Sequence, residues 1–148
     1  MPVVRGETAT VNDALFAETT YHAAYQPLRA VRTERFKYIR RFSDYDRPVL
    51  ANCDDSASKS ILVEAGWGEQ RVPEEQLYDL LFDPNELDDL SANPTRLQIL
   101  SEMRERLLEW MRATEDPLLD GPVPEPAGAW SNNPAQASPN DPTSAPER

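Results

Sequence analysis

Pro27-Leu28-Arg29-Ala30-Val31-Arg32-Thr33-Glu34-Arg35-Phe36-Lys37-Tyr38-Ile39-Arg40-Arg41-Phe42 decides the fold. It reads as two strands, residues 28–33 and 36–42, folded back on each other through Thr33-Glu34-Arg35. No glycine marks the turn type, but the connection is short enough for a hairpin. In the second strand Phe36, Tyr38 and Phe42 share one face at period two, and Lys37, Ile39 and Arg41 share the other. One buried face and one wet face is the habit of an antiparallel sheet.

Outward from this hairpin, residues 14–21 are rich in β-branched and aromatic types and read as a preceding strand. His22-Ala23-Ala24-Tyr25-Gln26-Pro27 is its connection, with Pro27 disfavouring helix at Gln26. On the other side, residues 43–76 dissolve into Asp, Ser, Gly and Pro around a few apolar residues. So long a gap in a compact domain suggests a functional or partner-facing insertion. Leu77-Tyr78-Asp79-Leu80 returns as a short strand, and Phe82-Asp83-Pro84-Asn85-Glu86 is a turn. Asn93 then caps a helix with Pro94 at its first position, where a missing N–H costs nothing. Leu97, Leu100, Met103, Leu107 and Met111 recur at spacings of three and four as an apolar stripe. Glu102 and Arg106 stand as an (i, i+4) pair on its wet side, and Pro117 stops it. The class is α+β, antiparallel strands packed with one C-terminal amphipathic helix.

At 148 residues the chain holds one domain with little to spare. Seven of its 14 prolines fall between Pro122 and Pro146, where large apolar residues almost vanish. That composition cannot offset the entropy of ordering, so a disordered tail is expected there. The net charge of −11 hides a split: residues 1–42 carry seven Lys/Arg against four Asp/Glu, and the remainder is strongly acidic. An acidic chain is repelled by phosphate backbones, so no nucleic-acid partner is expected. No apolar run spans a bilayer and Met1–Gly6 has no apolar leader core, so no membrane is expected and the cytoplasm is the compartment as given. A single cysteine excludes a disulfide framework and a cysteine-rich zinc site.

The chemistry-bearing residues are few. His22 is the sole histidine and Cys53 the sole thiol, and a nucleophile–base pair would need both in one place. Zinc would need a carboxylate-rich site. Asp83 to Asp89 has the donors for calcium, yet an EF-hand loop wants glycine at its sixth position and glutamate at its twelfth, where Asp88 and Pro94 stand. That segment reads as a solvated turn. Basic and aromatic residues interleave from Arg29 to Arg41, as in an RNA-binding strand or as a half-wet strand docked on an acidic surface. No glycine sits in a phosphate-binding loop pattern. No complete constellation for hydrolysis, phosphoryl transfer or hydride transfer is present.

Four stretches together resemble one family. Phe16-Ala17-Glu18-Thr19-Thr20-Tyr21-His22 precedes the run from Pro27 to Ile39. Gln76-Leu77-Tyr78-Asp79-Leu80 follows with Asp83-Pro84-Asn85-Glu86 and Asp89-Leu90, and the helix ends on Trp110-Met111 before Asp116-Pro117. Over about residues 12–120 this resembles the C-terminal subdomain of sulfatases, most closely the heparan N-sulfatase (N-sulphoglucosamine sulphohydrolase) type. The resemblance implies a sheet of about four antiparallel strands with the C-terminal helix. It divides the chain into an N-terminal linker remnant (1–11), the sulfatase C-terminal-like subdomain (12–119) and the disordered acidic tail (120–148).

In that family a large α/β domain carries catalysis, with a formylglycine made from a C/S-x-P-x-R motif and a calcium ion that neutralises the sulfate. Here Asp55 and Ala57 stand where Pro and Arg would follow Cys53, so the resemblance implies no catalytic residue, metal or cofactor in this chain. Calcium and formylglycine would belong to a catalytic domain missing or separately encoded, which is the implied partner, with a sulfated glycan as a second. The subdomain would give structural support and part of the substrate-cleft rim. His22 and then Tyr25 are the candidate substrate-binding residues, because an imidazole donates to sugar hydroxyls or an anionic group. The other reading of His22 is a turn cap or interface residue, and interface duty is expected of Arg29 and Arg32. The rival function is a free-standing module that binds an anionic glycan or nucleic acid through the basic hairpin 28–42.

Overall fold

A computed structural model describes Arg5, Gly6 and residues 12–141 of the chain. The linker remnant assigned to 1–11 therefore lies, apart from Arg5 and Gly6, outside the described residues, as do residues 142–148 of the tail. Four strands, β1 (Leu15–Tyr21), β2 (Tyr25–Arg32), β3 (Phe36–Arg41) and β4 (Glu75–Asp79), form one antiparallel sheet in the order β1-β2-β3-β4. Among the described residues two helices, α1 (Ala57–Glu64) and α2 (Leu97–Ala113), complete the regular elements apart from short 3₁₀ turns. The α+β expectation of a small four-stranded sheet with a C-terminal helix holds.

The chain forms two compact units, the first of Met1–Ala17, Arg29–Arg40 and Glu75–Thr114. In it the β2–β3 hairpin closes without glycine because Thr33 supplies what a backbone turn would. Thr33 N–H donates to the Phe36 carbonyl (2.8 Å), and the Thr33 hydroxyl accepts from Phe36 N–H (3.0 Å). β3 and β4 pair antiparallel from Phe36 opposite Asp79 to Arg40 opposite Glu75. This register places Tyr38 opposite Leu77, and both are fully buried, as is Val31 of β2. Asp89 terminates the sheet's polar ledger: its carboxylate accepts from Leu77 N–H (2.9 Å) and from Ser91 N–H (2.9 Å).

α2 buries Leu100, Met103, Leu107 and Met111, as its periodicity predicts. Leu97 does not join them; it is 57% exposed. At 100° per residue it lies roughly 75° from the centre of the stripe, and it is the first residue of the helix. Asn93 caps as expected, but what it caps is a 3₁₀ turn, Pro94–Arg96, with its Oδ1 accepting from Thr95 N–H (3.0 Å). The predicted Glu102–Arg106 pair is replaced by two others: Gln98 donates to Glu102 (2.9 Å), and Arg106 donates to Asp13 (2.9 Å). Phe16 of β1 stacks on Trp110 of α2 at 5.0 Å between ring centres.

The second unit comprises Glu18–Leu28, Arg41–Glu74 and Glu115–Arg148. β2 begins at Tyr25, not 28, so the β1–β2 connection shrinks to His22-Ala23-Ala24. The sequence hid this because Pro27 reads as a break, yet a proline whose carbonyl still accepts a ladder bond fits a strand. Phe42 N–H donates to that carbonyl (2.9 Å). Residues 43–76, expected to be pattern-free, contain α1 and two 3₁₀ turns. Ser56 caps α1 by accepting from Lys59 N–H (3.1 Å). Gly66 takes the left-handed conformation just past its end (φ 87°), a place where a side chain would be strained. Ala24, Val49 and Ala51 form a small buried cluster with Tyr45 against it.

Candidate functional site

The candidate rim is built from the end of β1, the short turn after it and the described part of the tail. His22 is exposed in the turn, its backbone N–H donating to the Ala24 carbonyl (3.2 Å). It lines an open cleft of about 470 Å³ together with Glu18, Thr19, Thr20 and Tyr21 on one side and Val123, Pro124 and Pro126 on the other. Tyr25 faces elsewhere in function: its hydroxyl accepts from Val123 N–H (3.2 Å), while Tyr21 Oη donates to the Val123 carbonyl (2.8 Å). The two rings lie 4.8 Å apart, tilted by 47°. Burial, with Glu125 and Tyr25 nearby, raises the pKa of the Tyr21 phenol above its usual value. His22 and Tyr25 thus belong to one neighbourhood, but only His22 lines the cleft.

The tail does more here than its composition predicts. Asn132 is buried, its N–H donates to the Ala23 carbonyl (2.8 Å), and it bridges to Ala24 in parallel fashion. Further along, Ser138 donates to Asp55, as does Asn140 (3.2 Å). Asp55 also receives Lys59 (3.0 Å), and the hydrogen bonds of Ser138, Lys59 and Asn140 bring its pKa down to about 2. Sequence reasoning missed these anchors because each is a single polar contact across roughly a hundred residues, with no local periodicity to betray it.

Cys53 is half-buried, and its carbonyl accepts from the Lys59 ammonium (2.8 Å). Asn52 beside it is structural: its side chain accepts from Ala24 N–H (2.7 Å) and donates to Gln26 (2.8 Å), imitating a strand partner. Asn52 and the His22 backbone N–H both donate to the Ala24 carbonyl (3.3 and 3.2 Å), a backbone contact that brings no thiol to the imidazole. The Asp83–Asp89 turn does not fit a calcium ion. The Asp83 carboxylate accepts from Asp88 N–H (2.9 Å), and both Asp89 oxygens are taken by Leu77 and Ser91. Among the described residues no group of three His, Cys, Asp or Glu side chains is placed to hold a metal.

Part of the basic hairpin is paired or bonded within the chain. Arg35 makes a fork-like pair with Asp79 (3.0 and 2.8 Å) and lies over the rings of Phe36 and Phe82. Lys37 bonds Glu86 (2.6 Å), and Arg41 donates to the carbonyls of Ser43 and Val72. Arg29 is the largest correction: it points into the core, 2% exposed, and is engaged there. It is unavailable for the interface duty expected of it, whereas Arg32 is exposed. The face alternation expected of β3 is also softened, since none of its six residues is fully exposed.

No protein-family model matches the chain. Two curated proteins do, each an ulvan-active sulfatase of Formosa agariphila. One is 28% identical over 128 residues, covering 83% of this chain and 26% of the relative; the other is 31% identical over 142 residues, covering 85% and 23%. Among solved structures, a 2-O GAG sulfatase superposes with a TM-score of 0.55 at 24% identity, covering 80% of this chain and 20% of that one. The chain is therefore similar to sulfatases along more than four-fifths of its length, and it shares its fold with a segment of a solved sulfatase. The chain spans about a quarter of the length of the curated relatives it matches. Among the described residues no helix is long and apolar enough to cross a membrane.

Proposed function

We propose that this chain is the C-terminal module of a sulfatase-type hydrolase of sulfated polysaccharides, giving structural support and part of the substrate rim. The observation that carries this is the sulfatase likeness along more than four-fifths of the chain, matched to only a quarter of each curated relative. In this reading turnover belongs to a larger catalytic domain that supplies the formylglycine and calcium, and His22 offers the rim an imidazole. The finer assignment, to the N-sulfoglucosamine sulfohydrolase type, rests on the paired motifs of Arg29–Ile39 and Leu77–Glu86 alone. The curated relatives, both ulvan-active, favour a broader sulfated-glycan class.

Exposed apolar surface supports a covering partner. On α1, Ile61 (66% exposed) and Leu62 stand in water, and in the other unit Phe82 and Leu87 do so on the loop after β4. Apolar side chains held on ordered backbone in this way mark interaction surfaces. The isolated chain is accordingly expected to self-associate with rising concentration in sedimentation velocity. Ile61→Lys with Leu62→Lys should reduce that association while moving the melting temperature by no more than about 3 °C, since exposed substitutions fall within about 0.5 kcal/mol each. Unchanged association would remove α1 as a docking surface.

The rival reading, an anionic-ligand binder using hairpin 28–42, has less support in geometry, because Arg35 and Lys37 are paired with carboxylates, Arg41 is bonded to carbonyls and Arg29 is buried, which leaves Arg32 exposed. It is tested on immobilised heparin. The chain should elute at low salt, and Arg32→Ala with Lys37→Ala should change that elution little. Retention beyond about 0.3 M salt that collapses in the double variant, as counterion release requires of a cationic site, would favour the rival.

A further inference from the structure

The tail from Gly121 to Asp141 is joined to its own unit at three separated points: Val123 between Tyr21 and Tyr25, Asn132 on Ala23, and Ser138 with Asn140 on Asp55. The first of these engages both backbone polar groups of one residue, so Val123 is held in position and orientation. Its flanks, Pro122-Val123-Pro124-Glu125-Pro126, are stiff by composition and offer few N–H groups that need a partner. The result is a preformed apolar wall facing the hydroxyl- and imidazole-bearing edge of Thr19, Thr20 and His22, across a cleft of about 470 Å³. That volume falls in the range of small-ligand sites.

We propose that this wall and His22 together form a subsite for one uncharged sugar ring of the glycan, and that the tail segment 121–126 is a structural half of it. A pyranose is amphipathic in the matching way, with a C–H face for Pro124 and Pro126 and hydroxyls for His22 and Thr20. A sulfate suits the cleft poorly. Neither Lys nor Arg is among the residues that line it, so the charge-assisted donors that anionic oxygens require are missing. Glu125 lies close enough to Tyr21 to act on its phenol, and adds repulsion. The sulfated position of the same glycan therefore lies outside this cleft. This inference rests on the rim reading above, and it adds the tail and the neutrality of the ring to it.

The test is a ¹H–¹⁵N titration of the full chain with N-acetylglucosamine, rhamnose and glucose, and with N-acetylglucosamine 6-sulfate. At least one neutral sugar is expected to shift the amide resonances of Thr20, His22 and Val123 at millimolar concentration, with the sulfated sugar several-fold weaker. His22→Ala and, separately, Pro124→Gly with Pro126→Gly should each weaken binding about five-fold or more. The glycine pair keeps the Tyr21 and Tyr25 anchors, and an unchanged spectrum for β2 and β3 shows that the variant is folded. If His22→Ala weakens binding but the glycine pair does not, the tail's part is overturned and the rim reading survives. Tighter binding of the sulfated sugar overturns the neutrality of the site. Binding by none of the neutral sugars, or binding indifferent to both variants, overturns the subsite and the rim role together.

Discussion

Leu107→Ala is expected to lower the unfolding free energy by about 3 kcal/mol, and Leu97→Ala by less than about 0.5 kcal/mol. Leu107 is 2% exposed in the middle of the buried stripe of α2, flanked one turn away by Met103 and Met111. Truncating it removes the transfer energy of the lost carbons and leaves a cavity that neighbours close only in part. For a chain of this size the loss corresponds to a fall of roughly 10 °C in melting temperature. Leu97 has the same chemistry and the same place in the sequence rhythm, but its side chain is mostly in water. Thermal melts of the two variants side by side are the check. Similar losses for both would mean that the stripe runs one turn further than the fold shows.

The second large effect is expected at Glu75, where Glu75→Gln should cost about 2 kcal/mol near neutral pH. Tyr38 is fully buried, and its hydroxyl donates to the Glu75 carboxylate, which also receives the Arg104 guanidinium on both oxygens. The Arg104 guanidinium holds the Glu75 carboxyl below its usual pKa against an opposing push from burial, with the Tyr38 hydroxyl a lesser aid. Burial and the same hydrogen bond raise the Tyr38 phenol. The sign follows from the lowered Glu75 value. Its contribution to stability is complete above the ordinary carboxylate range and is lost as pH falls through the folded-state pKa. The gap between wild type and Glu75→Gln should therefore be widest at neutral pH and narrow on acidification below about pH 4. A gap constant between pH 7 and pH 3 in denaturant melts would show that the carboxylate's charge is not what holds Tyr38.

How much of this was legible in the sequence differs by element. The hairpin and α2 were readable because their signals are local and periodic: alternation across Phe36–Arg41, and a three-four rhythm across Leu100–Met111. The helix α1 was missed although Ser56 and Gly66 bracket it as cap and stop. Its eight residues include β-branched Ile61 and Val63 and two serines, and its apolar side chains face water instead of forming a buried stripe. Arg29 was misread for a different reason. Strand alternation says which residues share a face, not which face is buried, and β2 buries Pro27, Arg29 and Val31 in place of Leu28 and Ala30. Of the candidate site, the nearness of His22 to Tyr25 was visible. The role of Tyr25 as a clamp on Val123, nearly a hundred residues away, has no counterpart in local pattern.

The proposed role, support of sulfatase chemistry by a chain that does not turn over substrate alone, can be tested directly. Cys53 is not followed by Pro and Arg as in C/S-x-P-x-R, the run Ser144 to Arg148 that has that spacing lies outside the described residues, and the Asp83–Asp89 turn gives carboxylate oxygens to backbone donors. The most direct measurement is sulfate release by ion chromatography, from an aryl sulfate, from ulvan and from N-sulfoglucosamine, using the purified chain with calcium and no other polypeptide. The account predicts release indistinguishable from the enzyme-free blank on all three. Catalytic release from any of them, in proportion to the amount of chain added, would contradict it.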